Sequence, residues 1–223
     1  MKKILTVITI VLGIWIFNLS YVECSSPNIV EKFLPWSENR EILTREYAEL
    51  HYDMSITNIE PQAVVIHWTA GNTWQSAYNI FYDEISNDPL DEGAVNVSSQ
   101  FIVDRDGTIY QLMPDNKLAR HAIGYNWCAI GIENVGGVNG VENLTYEQLK
   151  ANIELIRYLR NKYPAIKYIF GHYQQDIARE SGLYIEHVQG YSSVKPDPGP
   201  IFMKAIQDNL QNEGFVFFSI DVN

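Results

Sequence analysis

The sequence predicts an α/β fold, a single domain with a central mixed β-sheet flanked by helices. Three observations predict it. Short apolar runs of strand length alternate with longer stretches that carry helical spacing. The first such run, Ala63-Val-Val-Ile66, is continuously apolar, as suits a strand buried on both faces. One Asp-Gly pair, Asp106-Gly107, separates two β-rich runs and marks a hairpin, so at least one pairing is antiparallel.

The elements follow in chain order. Residues 38–50 form a helix, with Ile42, Leu43, Tyr47 and Leu50 at helical spacing. The strand at 63–66 follows Pro61 and ends at His67. A helix over 73–85 places Trp74, Ala77, Tyr78 and Phe81 on one face, with Asn72 or Thr73 as its cap. The hairpin joins 99–103 to 108–112. A further buried strand over 128–132 ends at Glu133, and the Gly-rich stretch 136–140 is a loop. Thr145 and Gln148 form a capping box at the start of a helix whose Leu149, Ile153, Ile156 and Leu159 share a face, and Pro164 stops it. A strand over 167–170 leads into Gly171-His172. Pro200 occupies the favoured first position of a last helix, which runs to Leu210.

The chain has 223 residues and a formal charge of −11, from 16 Lys+Arg against 27 Asp+Glu. That acidic balance excludes a general nucleic-acid binder, which needs basic surface to displace counterions. The two cysteines, Cys24 and Cys128, exclude a disulfide scaffold and a Cys-rich zinc site. Met1-Lys-Lys3 followed by the apolar run 4–19 has the pattern of a secretory signal or an uncleaved anchor, and Cys24 is a candidate for lipidation. The chain is therefore expected to be exported, periplasmic or secreted, touching a membrane only through that N-terminus. The organisation expected is a signal or anchor at 1–24, an extension at 25–60, a catalytic domain at 61–212 and a tail at 213–223.

Three polar residues, His67, Glu133 and His172, directly follow apolar strands. Strand ends along one edge of an α/β sheet are where sites form. A catalytic zinc needs about three protein ligands and an open position for water. His67 and His172 supply two imidazoles. Asp197, held between Pro196 and Pro198, is the best candidate carboxylate, because the flanking prolines restrict its backbone. The aromatic residues Trp68, Trp74, Tyr125 and Trp127 belong to the core or to a sugar-binding groove.

Six fragments now stand in order: Val65-Ile-His-Trp-Thr-Ala-Gly71, Gln100-Phe-Ile-Val-Asp-Arg-Asp-Gly-Thr-Ile-Tyr-Gln111, Arg120-His-Ala-Ile-Gly124, Ile130-Gly-Ile-Glu133, Gly171-His172 and Lys195-Pro-Asp-Pro-Gly199. Together they resemble the zinc-dependent N-acetylmuramoyl-L-alanine amidases of the amidase-2 type, related to peptidoglycan recognition proteins. The resemblance covers roughly residues 62–210. It implies Zn2+ held by His67, His172 and Asp197, Glu133 as the acid/base carboxylate, and Lys195 as the cation beside the oxyanion. It places His121 at a substrate-contacting position, and Trp68 and Asn126 are further candidate substrate contacts. The expected partner is peptidoglycan or its muropeptides. The chain departs from the family pattern at 173–194, which reads as an insertion near the metal and brings His187 into range as a less favoured ligand. The rival functions are a non-catalytic binding module of the same fold and a metallopeptidase acting on another amide.

Overall fold

The computed structural model describes residues 27–87 and 94–219. The leader expected at 1–24, with Cys24, lies outside the described residues. Among those described, no helix is long and apolar enough to cross a membrane.

Seven strands form one mixed sheet in the order β1-β4-β3-β5-β2-β6-β7. They are β1 (Ile29–Glu31), β2 (Ala63–Trp68), β3 (Phe101–Val103), β4 (Ile109–Gln111), β5 (Ala129–Asn134), β6 (Tyr168–Gly171) and β7 (Val216–Phe217). The helices are α1 (Glu38–Tyr52), α2 (Trp74–Tyr82), α3 (Tyr146–Lys162) and α4 (Pro200–Leu210). The β3–β4 hairpin is the antiparallel pair, while β1–β4, β3–β5, β5–β2, β2–β6 and β6–β7 are parallel. The α/β class expected from the sequence is therefore the fold observed.

The central strand β2 is buried along its whole length, as its unbroken apolar run requires. Its side chains alternate between the two faces. Val64 and Ile66, with Ile130 and Ile132 of β5, enter the main core beneath Leu155 and Ile156 of α3 and Ile206 of α4. Ala63 and Val65, with Ala129, lie on the opposite face with Phe170 and Leu183. The same alternation brings His67 and Glu133, which are cross-strand partners, to that opposite face at one end of the sheet.

Helix ends follow the sequence signals closely. Thr145 and Gln148 form the expected capping box, and Thr73 caps α2 through Ser76 N. Gly199 at the start of α4 has no side chain to cap with. Glu142 does so instead, its Oε1 accepting from Phe202 N at 2.6 Å. A Cβ on Gly199 would meet that carboxylate, and Gly199 sits at φ +93, so glycine is needed there twice over.

Two stretches are more integrated than the sequence suggested. The extension at 25–60 supplies the edge strand β1 and the helix α1, whose Tyr47, Ala48 and Tyr52 are core residues. Arg40 of α1 is buried and donates to the carbonyls of Phe81, Tyr82 and Asp83, closing the end of α2. The stretch read as a tail contributes β7, with Phe215 and Phe218 buried on either side of it.

Candidate metal centre and cleft

His67 is the fifth residue of β2, paired with Glu133 of β5 and directly after Ile66, which pairs with Gly171 of β6. A buried polar ladder holds its backbone. Asn134 Nδ2 donates to His67 O at 3.1 Å, and Asn152 Nδ2 of α3 donates to Asn134 Oδ1 at 2.7 Å. One turn earlier on α3, Gln148 Nε2 donates to the carbonyls of Val103 and Val135. Unpaired buried amides would be costly, so these contacts tie α3 to the functional end of three strands.

His172 follows β6 directly, at the start of a short 3-10 turn. Asp197 is brought beside it by Tyr173 N, which donates to Asp197 O at 2.8 Å. Close approach is permitted by Gly171, where a Cβ would meet Pro198 Cδ at 2.7 Å. Gly171→Ala is therefore expected to displace the Asp197 loop. The measurable outcome is weaker metal retention in competition with a chelator, with about 1–3 kcal/mol lost from chemical unfolding stability.

The three side chains converge. His67 Nδ1 lies 3.0 Å from His172 Nδ1 and 3.2 Å from Asp197 Oδ2, and His172 Nδ1 lies 3.3 Å from the same oxygen. All three residues are buried. A tetrahedral ion with ligand bonds of about 2.0 Å has ligand–ligand edges of about 3.3 Å, close to this triangle. Two imidazole nitrogens and a carboxylate oxygen are also a chemically suitable donor set for such an ion.

The protonation states agree with that use. Burial, then the neighbouring His172, hold the His67 imidazole down at about 4 despite the pull of Asp197. Burial pushes the Asp197 carboxyl up, but the hydrogen bonds from His172 and His67 and their charges outweigh it, leaving it well below the usual carboxylate range. At neutral pH the set is a neutral His67 imidazole beside an ionised Asp197.

Glu133 stands in the same cleft of about 400 Å³ as the three residues. Its Oε2 is buried and has no hydrogen-bond partner among the described residues. Burial and the nearby Asp197 charge push its carboxyl well above the usual range, against the opposing pull of Lys195. A carboxyl in this state is suited to proton transfer. Lys195 is exposed on the rim of that cleft.

His121 lies behind His67, its Nδ1 at 3.1 Å from His67 Nε2 and its Nε2 at 3.2 Å from Ala129 O. Both ring nitrogens thus face the protein, although the ring still borders the cleft. Asn126 is fully buried, its Oδ1 accepting from the backbone N–H groups of His121 and Ala122 and its Nδ2 donating to Tyr47 Oη. The polar atoms of Asn126 thus hold the turn that carries His121, and the residue also lines a second cleft beside the first. Trp68 borders the cleft, under a loop where Gly137 must lack a Cβ because one would overlap the indole at 2.1 Å.

The 173–194 stretch forms a strap. Glu186 pairs with His51 of α1 at 2.8 Å, Tyr191 packs on the His51 ring, and Trp127 Nε1 donates to Leu183 O. Its residues Val188 to Ser193 wall a second cleft that shares His121, His172 and Lys195 with the first. His187 is exposed and stands outside the metal-ligating group.

Sequence reasoning missed Asn134, Asn152 and Gln148. The signal was present: Gln148 and Asn152, four apart, stand on the apolar face of α3, where uncommitted amides are not tolerated.

Similarity to known proteins extends over most of the chain. Residues 57–200 match the family model described as N-acetylmuramoyl-L-alanine amidase. An endolysin of Enterobacteria phage K11 is 32% identical over 78 residues, which are 33% of this chain, and the match spans only about half (52%) of that curated relative. Among solved structures, the N-acetylmuramoyl-L-alanine amidase LysC from Clostridium intestinale URNW superposes with a TM-score of 0.54 at 27% identity, over 83% of this chain and 98% of that one. Bumblebee PGRP-SA shares the fold, with a TM-score of 0.52 at 21% identity over 85% of this chain and 98% of its own.

Proposed function

The chain belongs to the N-acetylmuramoyl-L-alanine amidase family, and on that premise we propose that it is a zinc hydrolase. Its substrate is the amide joining N-acetylmuramic acid to L-alanine in peptidoglycan or its fragments. The observation that carries this reading is the triangle of His67 Nδ1, His172 Nδ1 and Asp197 Oδ2, with the Glu133 carboxyl buried in the same cleft. Binding of cell-wall fragments alone would require neither a metal triad nor a proton carrier.

The metal would be held by His67, His172 and Asp197. When bound it supplies Lewis acidity, acidifying a water and polarising the scissile carbonyl. The chain's own residues do the rest. Glu133 takes a proton from the attacking water and returns it to the leaving L-alanine nitrogen. Lys195 holds positive charge where the carbonyl oxygen becomes negative. The strap and the loop over Trp68 wall the clefts on either side of the reacting bond and orient the substrate.

A defined muropeptide, analysed by mass spectrometry, tests the proposal. The expected products are free N-acetylmuramic acid and a peptide with a new L-alanine amino terminus, both lost when a chelator is added. Retention of the muropeptide without cleavage supports a binding module. Cleavage between two amino acids supports a peptidase. Because the substrate lies outside the cytoplasmic membrane, the reading includes export, as the basic and apolar N-terminus suggests.

A further inference from the structure

We propose that the 173–194 strap is a specificity element: clasped to α1 through His51 and Glu186, it shapes the second cleft for the peptide half of the substrate and makes cleavage depend on peptide length. This inference rests on the amidase reading. The second cleft has a volume of about 460 Å³ and joins the first at His121, His172 and Lys195. A substrate with its scissile amide at the metal centre therefore reaches into both clefts, one half in each. Charge decides which half goes where. Glu133 and Asp197 line the first cleft, whereas no carboxylate stands among the described residues lining the second, although the chain carries −11 overall. The lactyl carboxyl of the muramic acid is tied up in the amide, so the sugar half is uncharged, while the peptide half ends in a carboxylate. The anionic half is thus favoured in the second cleft, beside the Lys195 ammonium. The sugar half is left to the first cleft, against Trp68.

The strap wall is fastened at both ends. It turns at Gly190, which takes φ +81, and Tyr191 N donates to Val188 O at 3.2 Å. The near end is fixed by Glu186, whose Oε1 lies 2.8 Å from His51 Nδ1 and also accepts from Val188 N at 2.8 Å. His187 N donates to His51 O at 3.1 Å. The far end is fixed by Gln175 Nε2, which donates to Ser193 O. The His51 ring packs against Tyr47 and Tyr191, with ring centroids 4.1 and 4.5 Å away. Both tyrosines line the second cleft and His51 does not. His51 is therefore a positioning residue, acting on the substrate through Tyr191 and Val188. Its side chain and that of Glu186 are 6% and 4% exposed, so removing one leaves the other buried without its ion partner.

Two substrates built on one muramic acid test this, N-acetylmuramoyl-L-alanine methylamide and N-acetylmuramoyl-tetrapeptide. The zinc-loaded wild-type protein is expected to favour the longer peptide in kcat/KM. Tyr191→Ala and His51→Ala are each expected to lower that preference about 10-fold, through a higher KM for the tetrapeptide, with zinc content at the wild-type level. His51→Asn, whose amide donates to Glu186 from near the place of Nδ1, is expected to recover most of it. Any preference for a longer glycan is expected to be the same in the variants and the wild type. A peptide preference within about 3-fold of wild type in folded, zinc-loaded Tyr191→Ala would overturn the inference. So would a wild-type protein indifferent to peptide length, or a loss that follows glycan length instead. Should His51→Ala fail to fold, Tyr191→Ala decides. Cleavage of neither substrate by the wild type would refute the proposed function instead. Calorimetric titration with the free tetrapeptide then still tests the cleft: binding about 10-fold tighter by the wild type than by Tyr191→Ala is expected, and equal binding would overturn it.

Discussion

Glu133→Gln is expected to lower kcat by roughly 10²–10⁴-fold, the usual contribution of a positioned general acid–base, while zinc content stays at the wild-type level. Gln keeps the shape and burial of the side chain but can neither take a proton from water nor return one to the leaving amine. The proposed metal ligands are untouched, because Glu133 is not one of the three converging residues. The same substitution should make the metal-free protein more stable near neutral pH. In the unfolded chain this carboxyl ionises as pH rises above its usual 4.5, whereas in the fold burial and Asp197 keep it protonated to higher pH. The folded state therefore binds more protons across that window, and the group costs stability as pH rises through it. A neutral Gln carries no such cost. Thermal melts of the metal-free variant and parent at pH 5 and pH 7.5 should show the variant gaining more at the higher pH. A variant that retains full turnover removes Glu133 from the chemistry. This trade of stability for function is common where a site must hold an uncomfortable charge.

Asp197→Ala is expected to abolish both zinc retention and turnover. Its Oδ2 closes the triangle with the two imidazoles, and its charge offsets their crowding. The loss is readable without substrate. A ligand that binds only the folded state at 1,000 times its Kd adds about 4 kcal/mol of stability. For a chain of this size that corresponds to a rise of roughly 8–16 °C in Tm. The parent should show a zinc-dependent rise of that order, and Asp197→Ala should show none. Removing the aspartate also removes one cause of the raised Glu133 carboxyl, so that group should titrate lower in the variant than in the parent. Persistence of the zinc-dependent rise in Asp197→Ala would assign the third ligand elsewhere.

The parts of this site visible in the sequence are those that local rules dictate. A strand buried on both faces must be continuously apolar, so the polar residues at the ends of β2 and β5 and just past β6 stood out as His67, Glu133 and His172. The two prolines around Asp197 marked a fixed carboxylate, and the Asp-Gly turn marked the hairpin that makes the sheet mixed. What was hidden depends on partners distant in the chain. The role of Asn126 follows from the turn it closes at His121 and from Tyr47, 79 positions earlier. Arg40 reads as a surface residue of α1 until α2 is docked against it. The edge strands β1 and β7 are three and two residues long, too short for an alternating pattern, and exist because β4 and β6 offer them pairing edges. The strap at 173–194 read as an insertion, and its His51–Glu186 pair and the Tyr191–His51 ring contact show that it is fastened to α1 beside the cleft.

The most direct measurement is zinc-edge X-ray absorption on protein loaded with zinc and freed of excess metal, with metal content determined on the same sample. The account predicts one zinc per chain, coordinated by nitrogen and oxygen alone at about 2.0 Å in a four-coordinate shell with two imidazoles. A sulfur ligand, a six-coordinate shell, or a folded protein that retains no stoichiometric metal would contradict it.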